Sequence, residues 1–548
     1  MRKAKPLLVI LVVSFLAGCT NTTLPTADST QTIVPTQETI NVPWWKTAVF
    51  YEIFVRSFND SNGDGIGDFN GIIQKMDYLN DGNPVTDNDL GITAIWLMPI
   101  NPSPSYHGYD VVNYYNVNPE YGTMNDFQKL LEEAHKRGIK VIIDLVLNHT
   151  SSSHPFFVSA STAETWPYHG WYVWSSENGG DHWHYSGTGP NSMYFYGYFS
   201  PQMPDLNYTN PEVTEQMKKV TAFWLEDIGV DGFRIDAAKH LIEDGKKLEN
   251  TQATHDWFKG FYPFYKAINE EAYVVGEVSG SDARIAETYD DDQMDMIFNF
   301  EVASGFVNSA NGGAISGVGS AISFIQKDNP DWNFATFLTN HDQNRVMSTL
   351  SGNIDKAKVA AALLLTSPGT PFIYYGEEIG MEGIKPDENI RRPMQWTGGT
   401  NAGFSTGTPW EELGTNYPLF NVESEQNEPG TLLNWYKELI QLRQANPILS
   451  IGDYVVVKSD NRGIYAALRE LNGKTILVVI NLSKAPISEY VLSWEKSKLL
   501  DGNYAVSSLL ESQIGAPVTI IAGGTIDYKP VAQIGAFQTF IFDISKID

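Results

Sequence analysis

The segment GFRIDAAKH at positions 232–240, read with GEV at 276–278 and TNHD at 339–342, decides how the chain folds. Each motif closes a short apolar run, DGFRID or AYVVGE for example, with an ionisable side chain. A core strand ordinarily stays apolar, because an unpaired buried carboxylate costs far more than it contributes. Arg234, Asp236, Glu277, His341 and Asp342 therefore mark the ends of successive strands that open into one shared acidic pocket.

The same punctuation runs outward in both directions. Strands are predicted at 48–58, 92–100, 140–149, 231–236, 272–278, 294–300, 335–340 and 369–376, with helical patterns such as DFQKLLEEAHKRG (126–138) between them. Strands that alternate with helices argue for a parallel sheet covered on both faces. Eight of them close a (β/α)8 TIM barrel and place chemistry in the loops at the C-terminal strand ends. Residues 150–208 break the alternation with aromatics, Gly, Ser and His and carry too much irregular chain for a plain crossover. They read as an inserted domain after the third strand. The barrel as a whole is assigned to 43–446. Beyond it, at 447–548, runs such as YVVVKSD, IYAALRE and KTILVVINL predict a C-terminal antiparallel β-sandwich.

The 548 residues carry a net charge of −28, which excludes a basic nucleic-acid footprint and would repel a polyanion. A monomer is the expected state. Arg2, Lys3 and Lys5 precede the apolar run PLLVILVVSFLAG, the pattern of an export signal over 1–18. LAGC ends at Cys19, the only cysteine, and resembles a bacterial lipobox. Residues 19–42 then read as a lipidated cysteine and a flexible linker. The expectation is an exported protein associated with a membrane through an N-terminal lipid anchor.

Two carboxylates at neighbouring strand ends suit cleavage of a glycosidic bond, which needs a proton donor and an anionic partner for an oxocarbenium-like carbon. A gap of about 5–5.5 Å predicts retention of anomeric configuration, and about 6.5–9.5 Å inversion. Arg234 lies on the same side of its strand as Asp236 and is expected to hold that carboxylate ionised. Asp236 is thus the expected nucleophile, and Glu277, beside other acids, the acid/base. Asp342 is a third carboxylate for sugar hydroxyls. His149 and His341 are candidate donors, Tyr109 a stacking platform, and His107 and Asp110 entrance residues.

Asp60-Ser-Asn62-Gly-Asp64-Gly-Ile66-Gly-Asp68 alternates oxygen-bearing side chains with small residues, like the start of an EF-hand loop. It lacks that loop's terminal Glu. A structural Ca²⁺ is expected on Asp60, Asn62, Asp64, the Ile66 carbonyl and Asp68.

DLVLNH (144–149), MPDLN (203–207), GFRIDAAKH, GEV, TNHD, GDGIGDFNGI (63–72) and GTPFIYYGEEIGM (369–381), in this order of motif types, resemble the α-amylase family of retaining glycoside hydrolases. The likeness covers roughly residues 45–445. It implies Asp236 as nucleophile, Glu277 as general acid/base and Asp342 as transition-state stabiliser, with Arg234, His149, His341 and Tyr109 around the attacked glucose. It makes the insert the family's domain B. It also implies a second Ca²⁺ near Asn148, Asp205 and the His240 carbonyl. Lys239 and His240 are amylase-like, whereas RRPMQW (391–396) and Asp110 resemble the oligo-1,6-glucosidase group. The mixture is similar to secreted bacterial lipoprotein amylases. It implies an endo-acting α-amylase that hydrolyses α-1,4-glucosidic bonds of starch and maltooligosaccharides, with transglycosylation as a side reaction. The alternatives are an exo-acting α-glucosidase or oligo-1,6-glucosidase, a transferase, and an inactive sugar-binding relative.

Overall fold

The computed structural model describes residues 42–547 apart from 87, 163–165, 188–192, 329–331 and 511. Eight parallel strands form the central sheet: β1 (Phe50–Ile53), β2 (Ala94–Leu97), β3 (Lys140–Leu145), β4 (Gly232–Ile235), β5 (Tyr273–Gly276), β6 (Met296–Ile297), β7 (Ala335–Phe337) and β8 (Thr370–Tyr374). Their order is β7-β8-β1-β2-β3-β4-β5-β6. A parallel bridge between Phe298 and Ala335 joins the two edges and closes the ring. All eight predicted strands are present, each shorter than its apolar run, because the flanking residues turn into loops.

The barrel interior is packed rather than hollow. Phe50 and Phe372 stack at 4.2 Å, and Tyr273 packs 5.3 Å from Phe50. Higher up the interior becomes polar. Asp144 of β3 is the register partner of Arg234 of β4, so this acid and base are set side by side by strand pairing alone.

Helices begin where the sequence supplies a cap. Thr123 and Asp126 form a reciprocal capping box at Met124–Lys136, and Asn210 with Pro211 starts Pro211–Ala222. FNGIIQKMDYL splits into Phe69–Gln74 and Met76–Leu79.

After β3 the chain leaves the barrel through the short helix Pro155–Ala160. A three-stranded antiparallel sheet follows, with Tyr194–Tyr196 between Trp174–Ser175 and Trp183–Tyr185. A bridge between His149 and Asp205 pins the start of the excursion to its end. At the C-terminus, a six-stranded antiparallel sheet (453–546) and a three-stranded one (458–528) enclose a separate apolar core that includes Leu468, Leu477, Val479 and Phe542. The strand Gly502–Ser508 was not among the predicted runs. Its sequence GNYAVSS buries only Tyr504 and Val506, too sparse an alternation to stand out.

The predicted membrane association is corrected here. Among the described residues no helix is long and apolar enough to cross a membrane. The predicted signal at 1–18, the acylated Cys19 and the linker to residue 41 all lie outside the described residues. The folded body thus gives the predicted lipid anchor and exported location no support.

Candidate active site

β4 delivers the organising residue. Arg234 is 1 % exposed, and its guanidinium serves three acids at once: Nη1 donates to Asp144 (2.6 Å) and Asp236 (2.7 Å), and Nη2 to Glu277 (2.6 Å). Asp236 follows β4 directly, Glu277 follows β5, and the Ala237 amide donates to Glu277 at 3.2 Å. Because Asp236 and Glu277 hold two nitrogens of one guanidinium, their carboxyls belong to one site. Both line a cavity of about 300 Å³ together with His107, Tyr109, His149, Phe199, His240, Asp342 and Arg391.

Arg391 bounds another side of this cavity. Its Nη2 bridges Asp342 (2.8 Å) and Asp387 (3.2 Å), and its Nε donates to the His341 carbonyl at 2.9 Å. His341 is fully buried, with Nε2 2.7 Å from the Tyr109 hydroxyl and 3.3 Å from Asp342, and Nδ1 2.5 Å from Glu52 of β1. The Asp342 side chain is 45 % exposed, facing the pocket.

The environments differ sharply. Burial pushes Asp236 up to about 7; Glu277, Asp144 and Asp342 add to that, and Arg234 opposes it. Burial also acts on Asp342, yet His341, Arg391 and Arg234 outweigh it and hold this carboxyl well below the usual range. Burial alone would lower His341, but Asp342 and Glu52 raise it to about 10. His149 is buried and driven down to about 4, so it is a neutral imidazole, and its Nε2 has no hydrogen-bond partner. The expected ionised Asp236 does not follow from these surroundings. Arg234 does not offset the burial of Asp236, which takes one hydrogen bond from it, whereas Glu277 takes one from the guanidinium and one from the Ala237 amide.

Most predicted site residues converge: Arg234, Asp236, Glu277, His341, Asp342, Tyr109, His149, His107 and His240. Two turn elsewhere. Lys239 pairs with Glu249 at 2.6 Å, and Asp110 accepts from the hydroxyls of Ser103 and Ser105; neither lines the cavity. Asp144, Glu52, Arg391, Asp387 and Phe199 were not singled out. The first two had a usable signal, an acid inside an apolar strand, in KVIIDL and FYEI.

The expectation of Ca²⁺ is overturned. Among the described residues no group of three or more His, Cys, Asp or Glu is disposed to hold a metal ion. In the 60–68 loop the side-chain oxygens are spent on the loop itself. Asp60 accepts from the amides of Asn62, Gly63 and Gly65 and from the Ser405 hydroxyl. Asn62 accepts from the Asp64 amide, Asp64 from the Ile66 amide, and Asp68 from the amides of Ser61 and Gly71. The glycines have a steric reason as well: a Cβ on Gly65 would lie 1.9 Å from the Thr408 carbonyl oxygen, and one on Gly71 1.8 Å from that of Asn59. The second expected set, Asn148, Asp205 and His240, fits no better. Of these only Asp205 contributes an acidic side chain, since the expected His240 ligand is its backbone carbonyl, and the set falls in no group of three or more such residues among the described residues.

Paired acids at barrel strand ends, sharing an arginine in a sugar-sized cavity, define a glycoside hydrolase. The catalytic-domain pattern of α-amylases matches residues 52–452, and the chain belongs to the α-amylase family. It is 44% identical over 453 residues to "Alpha-amylase 3" of Dictyoglomus thermophilum, which covers 81% of this chain and 86% of that protein. It is 33% identical over 554 residues to an oligo-1,6-glucosidase of Parageobacillus thermoglucosidasius, covering 85% and 96%. The name oligo-1,6-glucosidase recurs among other relatives at 32–34% identity. The crystal structure of an α-amylase from H. orenii superposes with a TM-score of 0.79 at 40% identity, covering 91% of this chain and 99% of that one. The protein is therefore an enzyme acting on α-glucosidic bonds.

Proposed function

We propose that the enzyme is an exo-acting α-glucosidase of the oligo-1,6-glucosidase type, releasing glucose from the non-reducing end of short α-glucans with retention of configuration. The observation that carries this is the Arg391 bridge from Asp342 to Asp387, which ties together one side of the cavity, as a pocket for a chain end requires. The cavity of about 300 Å³ supports it, since that is the small end of the range for ligand sites. The recurrence of oligo-1,6-glucosidases among the relatives agrees.

In this reading Asp236 attacks the anomeric carbon and Glu277 protonates the departing oxygen, then deprotonates the incoming water. Arg234 holds both acids, and burial raises Asp236, so the attack requires substrate to bring Asp236 to its ionised form. Asp342, flanked by His341 and Arg391, accepts from sugar hydroxyls, and the unpartnered Nε2 of His149 offers one more contact. Tyr109 backs the same ring. His107 stands at the pocket edge, and His240 faces the leaving group. Asp110 and Lys239 take part only by turning from their present partners. We divide the chain accordingly into a catalytic barrel (43–446) carrying domain B (150–208), and a C-terminal domain (447–548).

The second reading is an endo-acting α-amylase, favoured by the 44%- and 40%-identical relatives that bear that name. Maltoheptaose blocked at its non-reducing end separates the two, with anomers followed by NMR. Cleavage of isomaltose and free maltooligosaccharides without cleavage of the blocked substrate is expected. Rapid internal cleavage of the blocked chain would overturn the exo proposal, and release of β-glucose would overturn retention.

A further inference from the structure

Glu52 touches no part of the cavity. It is 2 % exposed on β1, beneath His341, in a strand whose other residues FY and I are apolar. Its Oε1 lies 2.5 Å from His341 Nδ1, while the opposite ring nitrogen lies 3.3 Å from Asp342. A neutral imidazole has one N–H donor and one acceptor nitrogen. The 2.7 Å contact of Nε2 with the Tyr109 hydroxyl fits either state of the ring, whereas a carboxylate beside each nitrogen favours a proton on both.

We propose that Glu52 is a positioning residue of the reaction: through its bond to Nδ1 it keeps His341 cationic, and so keeps a positive charge against Asp342 across the working pH range. The inference rests on the reading that Asp342 meets the sugar. Its consequence is local. Asp342 stands between two cations, His341 and Arg391, but Arg391 is shared with Asp387, so the imidazolium is the cation it does not divide with a second loop acid.

The other groups around the ring do not replace Glu52. Trp96 meets it edge-on from β2 at 5.5 Å, and Tyr109 brings a hydroxyl to Nε2. Asp144 of β3 acts on it only through space and is already paired with Arg234. Arg391 contacts the backbone carbonyl of His341, not its ring. Glu52 also feels Tyr374, its register neighbour on β8, and Glu377, neither of which supplies a positive charge, while the Arg345 guanidinium lies 4.4 Å from the Tyr374 ring. The upward shift of His341 to about 10, in a fully buried site that by itself would lower it, is consistent with this arrangement.

The test is Glu52→Gln, whose amide oxygen still accepts from Nδ1 but carries no charge. Histidines labelled with ¹⁵N are titrated by NMR without substrate, and His341→Gln identifies the resonance. His341 is expected to stay doubly protonated to pH 9 in the native enzyme and to become neutral between pH 6 and 8 in Glu52→Gln. The ratio of native to variant kcat/KM should then rise from under about threefold at pH 6 to about tenfold or more at pH 9. A native His341 that is neutral at pH 8 overturns the inference, and needs no variant to fold. A variant that titrates like the native protein overturns it too. An altered titration with an unaltered pH–rate profile leaves the pairing but refutes the positioning role, and the blocked-substrate assay above judges the function independently.

Discussion

Replacing Arg234 by Met removes the cation that three buried acids share, and the structure sets the size of the effect. Asp236 sits near 7 with the guanidinium 2.7 Å away, so about half of it is ionised at neutral pH. Losing an adjacent cation raises a carboxyl by about 1–3 pKa units. The ionised fraction at pH 7 then falls to between roughly a tenth and a thousandth. Ionisation alone thus lowers kcat/KM about 5- to 500-fold, before the lost alignment of Glu277 is added. The sign follows from the direction of the shift. Asp236 is active above its own pKa, so the acid limb of the pH–rate profile moves upward by the same 1–3 units. The deficit therefore narrows towards pH 9–10. Arg234→Lys should fall between the two, because one ammonium keeps charge but cannot fork between Asp236 and Glu277. The assay is kcat/KM on p-nitrophenyl α-glucoside from pH 5 to 10, with circular dichroism to confirm folding. A deficit of equal size at pH 6 and pH 9 would refute the ionisation argument.

Asp236→Asn keeps the shape of the attacking side chain and removes its nucleophilicity, so turnover should drop by at least about 10³-fold while calorimetric affinity for maltose stays within about threefold; near-normal turnover would reject the assigned nucleophile. Glu377 is buried, with Oε1 on the Tyr436 hydroxyl and Oε2 unpartnered, and burial lifts it to about 8. An acid raised on folding contributes stability below its unfolded value near 4.5 and loses it as pH climbs through the folded one. The unfolding temperature should decline between about pH 5 and 8 and flatten in Glu377→Gln, a change worth at most about 5 kcal/mol. An identical slope in both proteins would count against it.

The barrel was legible because its strands are buried on both faces and read as apolar runs, each ending in a charge that marks the loop side. Arg234, Asp236, Glu277, His341 and Asp342 announced themselves by breaking that rule at strand ends. Glu52 and Asp144 broke it inside strands, where a charge reads as an isolated exception until register shows Asp144 beside Arg234. Asp387 opens the short helix Asp387–Ile390 beyond β8 and Arg391 follows it, and only the folded chain brings them to Asp342. The 60–68 loop misled for a different reason. Oxygen-bearing residues at alternate positions serve a cation and a self-bonded turn equally well. What decides is where the donors lie, and here they are the loop's own amides.

Protonation was the least legible property, and the pocket shows why. Asp144, Asp236, Glu277 and Asp342 face Arg234, Arg391 and the His341 imidazolium, four acids against three cations. The distribution is uneven: Asp342 draws on two cations, while Asp144, Asp236 and Glu277 divide one guanidinium. Burial, with that division of one guanidinium, leaves Asp236 raised to about 7. Substrate must therefore bring Asp236 to its ionised form before it can attack. On this argument the charge of the nucleophile is completed by substrate and is not fixed by the protein's own cations.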